Sequence, residues 1–326
     1  MARWLSFSAQ YKAATGDYSG SFQDLARATR MGNTVARGAT LIGHLVGIAC
    51  QAIATHAAHG IATRENVPAP VLKRAAKDVL ASLDDADPFV EAIRVEAYSA
   101  EKTTRWLFRT GTRRRLKHVL SISRNPRGVL ARLAGSNARA TPHNVRAAFQ
   151  HVVAVAEKPY SMSAKAGYER FAETFRSPRN SLTIKDPLGY ILASMFLPDM
   201  GQAHRKDAHG GTQLGAMALF LAVKAYEKER GALPERLAQL VPDYLPRMPK
   251  DPFGGKPFHY LRSNIPGLPP EAWAVYSIGE DFTDDGGKAQ GMLPDGARLA
   301  SPDLVWPSQP YPRGAPGEPQ METKHD

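Results

Sequence analysis

The run Leu233–Tyr260, LPERLAQLVPDYLPRMPKDPFGGKPFHY, marks the point where a helical chain becomes one that also makes strands. Just before it, Ala216, Leu219, Phe220, Val223 and Tyr226 recur at helical spacing, with Lys224, Glu227, Lys228 and Glu229 gathered toward the end. That pattern predicts an amphipathic helix. Gly231 stands where a C′ glycine stops a helix, and Pro234 follows where the helix cannot continue. Pro234 also suits the first turn of a short second helix, PERLAQLV, which puts Leu237, Leu240 and Val241 on one face. Pro242, Pro246, Pro249 and Pro252 then enforce a loop, and Asp251-Pro252-Phe253-Gly254-Gly255 carries turn chemistry. Phe258–Leu261 and Trp273–Ile278, rich in aromatic and β-branched residues, read as two short strands.

The order of long helix, short Pro-led helix, DPFGG turn, two strands and the Ser277–Gly287 loop resembles the C-terminal globular region of the major pseudopilin (the G subunit) of type II secretion systems. It is closer still to copies of that module at the end of multi-helical bacterial proteins. The resemblance rests on G-x-L-P-x-x-L-x-x-L-V from Gly231, K-D-P-F-G-G-K-P from Lys250, Y-S-I-G-x-D from Tyr276, and Asp303-Leu304-Val305-Trp306. In the pseudopilin an acidic loop holds calcium, so the resemblance implies a calcium site at Asp281, Asp284, Asp285 and Asp303. The chain shows neither a prepilin leader nor an apolar pilin helix at its start, and the interval between Asp285 and Asp303 is longer than in the pseudopilin. A filament-subunit role is therefore not expected.

Before this module the signals are helical throughout. Residues 1–200 are expected to form an antiparallel helical array, 209–306 the small α+β module, and 307–326 a disordered Pro- and Gly-rich tail, a mainly α chain. Trp4, Leu5, Ala9, Tyr11, Gly16-Asp17-Tyr18 and Phe22-Gln23-Asp24-Leu25 resemble a single tetratricopeptide-like helix pair at the start. Val71, Leu72, Ala75, Val79, Leu80 and Leu83 predict a helix from Pro68, and Pro88 opens another to about Phe108. Thr141-Pro142, Ser161–Phe175 and Asp186–Phe196 mark three more. Pro198–Gly211, with His204, Lys206, Asp207 and His209, reads as a polar loop between the two parts.

Gly38–Thr63 contains no Asp, Glu, Lys or Arg and is long enough to span a bilayer. His44, Gln51, His56 and His59 argue against spanning, since polar groups in hydrocarbon are expensive. The reading favours a buried central helix. His44, His56 and His59 would form a metal site only if Glu65, Glu91 or Glu96 came close; the simpler expectation is half-buried histidines bonded to neighbours. The single cysteine, Cys50, excludes an intramolecular disulfide and reads as a small core residue.

Charge is distributed unevenly. From Lys102 to Ala156 there is no acidic residue, while twelve basic ones, among them Arg113, Arg114, Arg115 and Lys117, account for the whole formal net charge of +11. Such a segment suits an anionic membrane surface or nucleic acid, although the aromatics expected of a single-strand binder are few. No secretory signal is visible, and localisation is left open, with envelope association expected only if the start is truncated.

The reaction checklist is empty: HExxH, G-x-S-x-G, a phosphate-binding P-loop, a dinucleotide glycine fingerprint and a CxxC pair are all missing. Glu91, Glu96 and Glu101 are spaced five apart and make no tight carboxylate pair. The first expectation is a non-enzymatic envelope or scaffold protein with an unidentified protein partner and a calcium-binding module. A helical-domain hydrolase using histidine and carboxylate groups, and a binder of anionic polymer or membrane through residues 102–156, are the alternatives.

Overall fold

The structure is a computed structural model, and it describes residues 1–64, 66–83, 88–109, 140–176, 200–288 and 303–309. Arg113, Arg114, Arg115, Lys117, the expected helix at Asp186–Phe196 and residues 310–326 of the tail lie outside the described residues. Among the described residues the chain is mainly helical with one small antiparallel sheet.

The helices are α1 (Ala2–Ala14), α2 (Tyr18–Ala36), α3 (Leu41–Ala62), α4 (Ala69–Ala81), α5 (Pro88–Arg109), α6 (Ala140–Ala156), α7 (Met162–Arg176) and α8 (Met200–Arg230). Asp17 caps α2 by accepting the Gly20 N–H at 2.8 Å. α1 and α2 form a hairpin clasped by Asp24, which is almost fully buried and accepts from Lys12 at 2.6 Å, Arg27 at 2.8 Å and Ser8 at 2.8 Å. α2 and α3 cross at glycines: a Cβ on Gly32 would lie 2.7 Å from the Gly47 carbonyl oxygen, and one on Gly47 would lie 2.6 Å from that of Gly32. Only glycine permits this approach.

α3 is the helix, among the described residues, whose length and composition would let it cross a membrane. Here it packs on α1, α2, α5 and α8, and its N-terminus is capped from outside, the Leu41 N–H donating to Glu96 Oε1 at 3.0 Å.

α8 is the organising element. Ala216–Val223 and Ala225 are buried without interruption on all sides, the signature of an enclosed helix rather than a surface one. α3 and α4 cover part of α8, and the sheet covers another. One hydrophobic core therefore runs from Phe22, Ile61 and Leu72 through Phe220 to Leu240, Trp273 and Val275. A second core joins α5, α6 and α7 around Phe89, Ile93 and Phe149.

The expected loop at Pro198–Gly211 is a helix from Met200 onward: His204, Ala208 and Thr212 are buried on successive turns, and tertiary packing outweighs the local polarity. Gly231 ends α8 as expected, at φ +71° with its N–H donating to Glu227 O at 2.8 Å. The short Pro-led helix is only a 3₁₀ turn, Leu237–Leu240, because Arg236 is extended and Gln239 Oε1 takes the Glu235 N–H.

Strands β1 (His259–Leu261), β2 (Ala274–Ser277) and β3 (Leu304–Pro307) form an antiparallel sheet with β2 central, His259 facing Tyr276 and Val275 facing Trp306. Alternation sets the faces: Trp273 and Val275 join the α8 core, while Ala272 and Ala274 pack on Ile265. The tail does not begin at Pro307, which ends β3; Ser308 then clasps Trp273 through two backbone-directed bonds of 2.7 and 3.0 Å.

Candidate functional site

The acidic loop leaves the end of β2 through Ile278 and a 3₁₀ turn, Gly279–Asp281, and is pinned to α8 by Glu280. Glu280 Oε2 accepts from Arg205 Nη1 at 2.8 Å and from His209 Nε2 at 3.4 Å. Partial burial raises the Glu280 carboxyl pKa, but the His209 and Arg205 bonds and charges outweigh it, so its pKa lies below the usual value. Beside this anchor Phe253 packs edge-on against His209, and Phe282 of the loop packs against both Phe253 and Tyr160.

Each aspartate in the loop has a distinct role. Asp281 Oδ1 accepts the Thr283 N–H at 3.0 Å in a local turn. Asp284 Oδ1 accepts the Gly286 N–H at 2.9 Å and the Tyr276 hydroxyl at 3.1 Å, and its Oδ2 lies 3.4 Å from His259 Nδ1. Asp303, 2% exposed, stands just before β3 and accepts the Gly287 N–H on Oδ2 at 2.7 Å. Its Oδ1 is buried and, among the described residues, has no hydrogen-bond partner.

Burial pushes the Asp303 carboxyl up to about 6, and the neighbouring charges of Asp284 and Asp285 push the same way, against the opposing pull of the nearby Gly287 and Asp285 N–H groups. The Tyr276 hydroxyl is also raised, by burial first and then by its bond to Asp284. Asp284, Asp285 and Asp303 thus act on one another. Asp281, engaged with its own turn, is absent from the groups that act on Asp303. Among the described residues, no three His, Cys, Asp or Glu side chains converge in a ready-made metal cluster. The one feature here that suits a cation is the orphaned Asp303 oxygen among like charges.

The histidines of α3 do not converge. His44 Nε2 bonds Asp207 Oδ1 at 2.8 Å, His56 is exposed, and His59 Nε2 donates to the Pro307 carbonyl at 3.0 Å while packing on Phe220. Of the proposed carboxylate partners, Glu96 caps α3, Glu91 is exposed and Glu65 lies outside the described residues. Among the described residues these histidines share no metal site. Cys50 is half-buried rather than a core residue, lying at the α2–α3 crossing beside Gly32.

Sequence reasoning gave no role to Glu280 or His259 in the loop, nor to the Tyr276 hydroxyl as a partner of Asp284. Glu280 sits inside the Tyr276–Asp281 motif, but its partners lie about seventy residues upstream on a helix expected to be a loop. No family model matches this chain, and neither does any curated protein or solved structure.

Proposed function

We propose that this chain is a non-enzymatic scaffold or envelope-associated protein whose C-terminal part, residues 209–306, is a pseudopilin-like module that takes up a calcium ion at its acidic loop. The observation that carries the reading is Asp303, buried beside Asp284 and Asp285 with one carboxylate oxygen that has no partner among the described residues. A buried anionic oxygen without a partner costs free energy, and a cation relieves it together with the repulsion from its neighbours.

Calcium fits this chemistry, since it takes six to eight oxygen ligands from carboxylates, carbonyls and water in flexible geometry. Asp303, Asp284 and Asp285 would be ligands, with Asp281 as an outer contributor from the same loop. The order of long helix, three-stranded sheet and acidic loop between β2 and β3 supports the pseudopilin-like reading, and the α1–α2 hairpin supports the tetratricopeptide-like one. A module that shares its core with a helical array is suited to presenting surfaces to a protein partner.

Calorimetric titration of the full chain with calcium tests the proposal. One ion per chain is expected, with binding lost in Asp303→Asn and weakened in Asp284→Asn. Absence of binding at millimolar calcium would overturn it.

A further inference from the structure

α1 carries its small residues inward and its large apolar ones outward. Ala2, Ser6, Ala9 and Ala13 are buried, which lets the helix lie close on α2 and α3. Trp4, Phe7 and Tyr11 stand on the opposite side, 68%, 63% and 66% exposed. Spacings of three and four residues put these rings on one strip of the helix, and the Trp4 and Phe7 centroids are 6.1 Å apart. Single exposed apolar residues are ordinary on a protein surface, but a strip of three aromatic rings marks a place of contact.

The charge around the strip has one sign. α1 carries Arg3, which is exposed, and Lys12, and it has no acidic residue. Residues 1–64 hold six basic side chains and two acidic ones, and one of those acids, Asp24, is buried between Lys12 and Arg27.

We propose that the outer face of α1 lies in the interface of an anionic lipid bilayer, with Trp4, Phe7 and Tyr11 seated at headgroup depth and Arg3 facing lipid phosphate. At 13 residues α1 is too short to span, so it lies in the membrane plane. Trp and Tyr suit that depth because each has an apolar body and a polar tip. Size separates a bilayer from a second copy of the chain. At about 150–250 Å² per aromatic side chain, three rings roughly two-thirds exposed offer about 300–500 Å². A standard protein interface takes about 800 Å² from each partner. A bilayer admits rings one by one and needs no matching shape, and its anionic lipids complement the positive surroundings. The proposal rests on the envelope-associated part of the reading above and names the face that makes the contact. It depends neither on calcium nor on residues 102–156.

The test is co-sedimentation of the full chain, in chelator, with vesicles of phosphatidylcholine alone and with phosphatidylglycerol added. Stronger binding to the anionic vesicles is expected. Replacing the rings together, by Trp4→Ser, Phe7→Ser and Tyr11→Ser, should lower that affinity at least about tenfold. All three side chains are exposed, so circular dichroism should show the triple variant folded. Trp4→Phe should keep the binding. Brominated acyl chains should quench wild-type tryptophan fluorescence and lose most of that effect in Trp4→Phe, which separates Trp4 from Trp106, Trp273 and Trp306. No binding to anionic vesicles, or quenching unchanged in Trp4→Phe, would overturn the proposal. Equal binding by the triple variant would overturn it too, handing the contact to residues 102–156. So would a wild-type dimer, bound to no vesicle, that the triple variant converts to monomer. Calcium is absent throughout, so failure here leaves the acidic-loop titration standing, and the reverse holds.

Discussion

His59 Nε2 donates a hydrogen bond to the carbonyl oxygen of Pro307 at 3.0 Å, tying the third helix of the array to the last strand of the sheet across 248 residues of sequence. The ring also packs 4.7 Å from Phe220 of α8, so three distant segments meet at one side chain.

That burial makes His59 a pH-sensitive joint. Burial lowers its pKa first, His56 and Lys224 add to the effect, and the Pro307 bond opposes it; His204 is likewise lowered by burial against Asp207. A histidine depressed in the folded state binds its proton more readily in the unfolded chain. Its stabilising share is complete above about pH 6.5 and is lost as pH falls below that value. Asp303, raised to about 6, acts in the opposite sense over the same window, so a variant comparison is needed. Urea midpoints of the wild type and His59→Gln should be compared from pH 7.5 to 5. The wild type should lose stability relative to the variant as pH falls; parallel curves would contradict this assignment.

The α2–α3 crossing tolerates no added methyl. Gly47→Ala would drive a Cβ against the Gly32 carbonyl and the Ala36 side chain. A loss of about 1–3 kcal/mol is expected, the usual penalty for overpacking. Chemical denaturation measures it, and a neutral substitution would mean that the helices separate more easily than the packing implies.

Because α8 is enclosed by helices and sheet alike, the described chain should unfold as one unit around it. Phe220→Ala, which removes a fully buried ring 5.1 Å from Trp273, should cost about 3–5 kcal/mol. Far-ultraviolet dichroism and tryptophan fluorescence should give coincident transitions in both proteins. Separated transitions would show that the array and the sheet region unfold independently.

Local periodicity made much of this architecture legible. The apolar spacing in Ala216–Tyr226, the glycine stop at Gly231, the helices from Pro68 and Pro88, and the aromatic strands at Phe258 and Trp273 all appear where residue pattern and backbone chemistry place them. The start of α8 was not legible. His204, Lys206, Asp207 and His209 look like a loop by composition, and become helical because Tyr168 holds His204, Asp207 holds His44 and Glu280 holds His209. Those partners are remote in sequence and leave no local trace. The aspartates of the loop could be named from the motif, but their division of labour could not. Which oxygen is orphaned depends on the closure of Gly287 onto Asp303.

Thermal unfolding of the full chain, in saturating calcium and in chelator, tests the calcium-module reading most directly. At about 100 times its dissociation constant, an ion that binds only the folded chain adds roughly 2.7 kcal/mol of stability. The account predicts a higher midpoint with calcium for the wild type and no calcium-dependent difference for Asp303→Asn. Identical wild-type midpoints in calcium and chelator would contradict it.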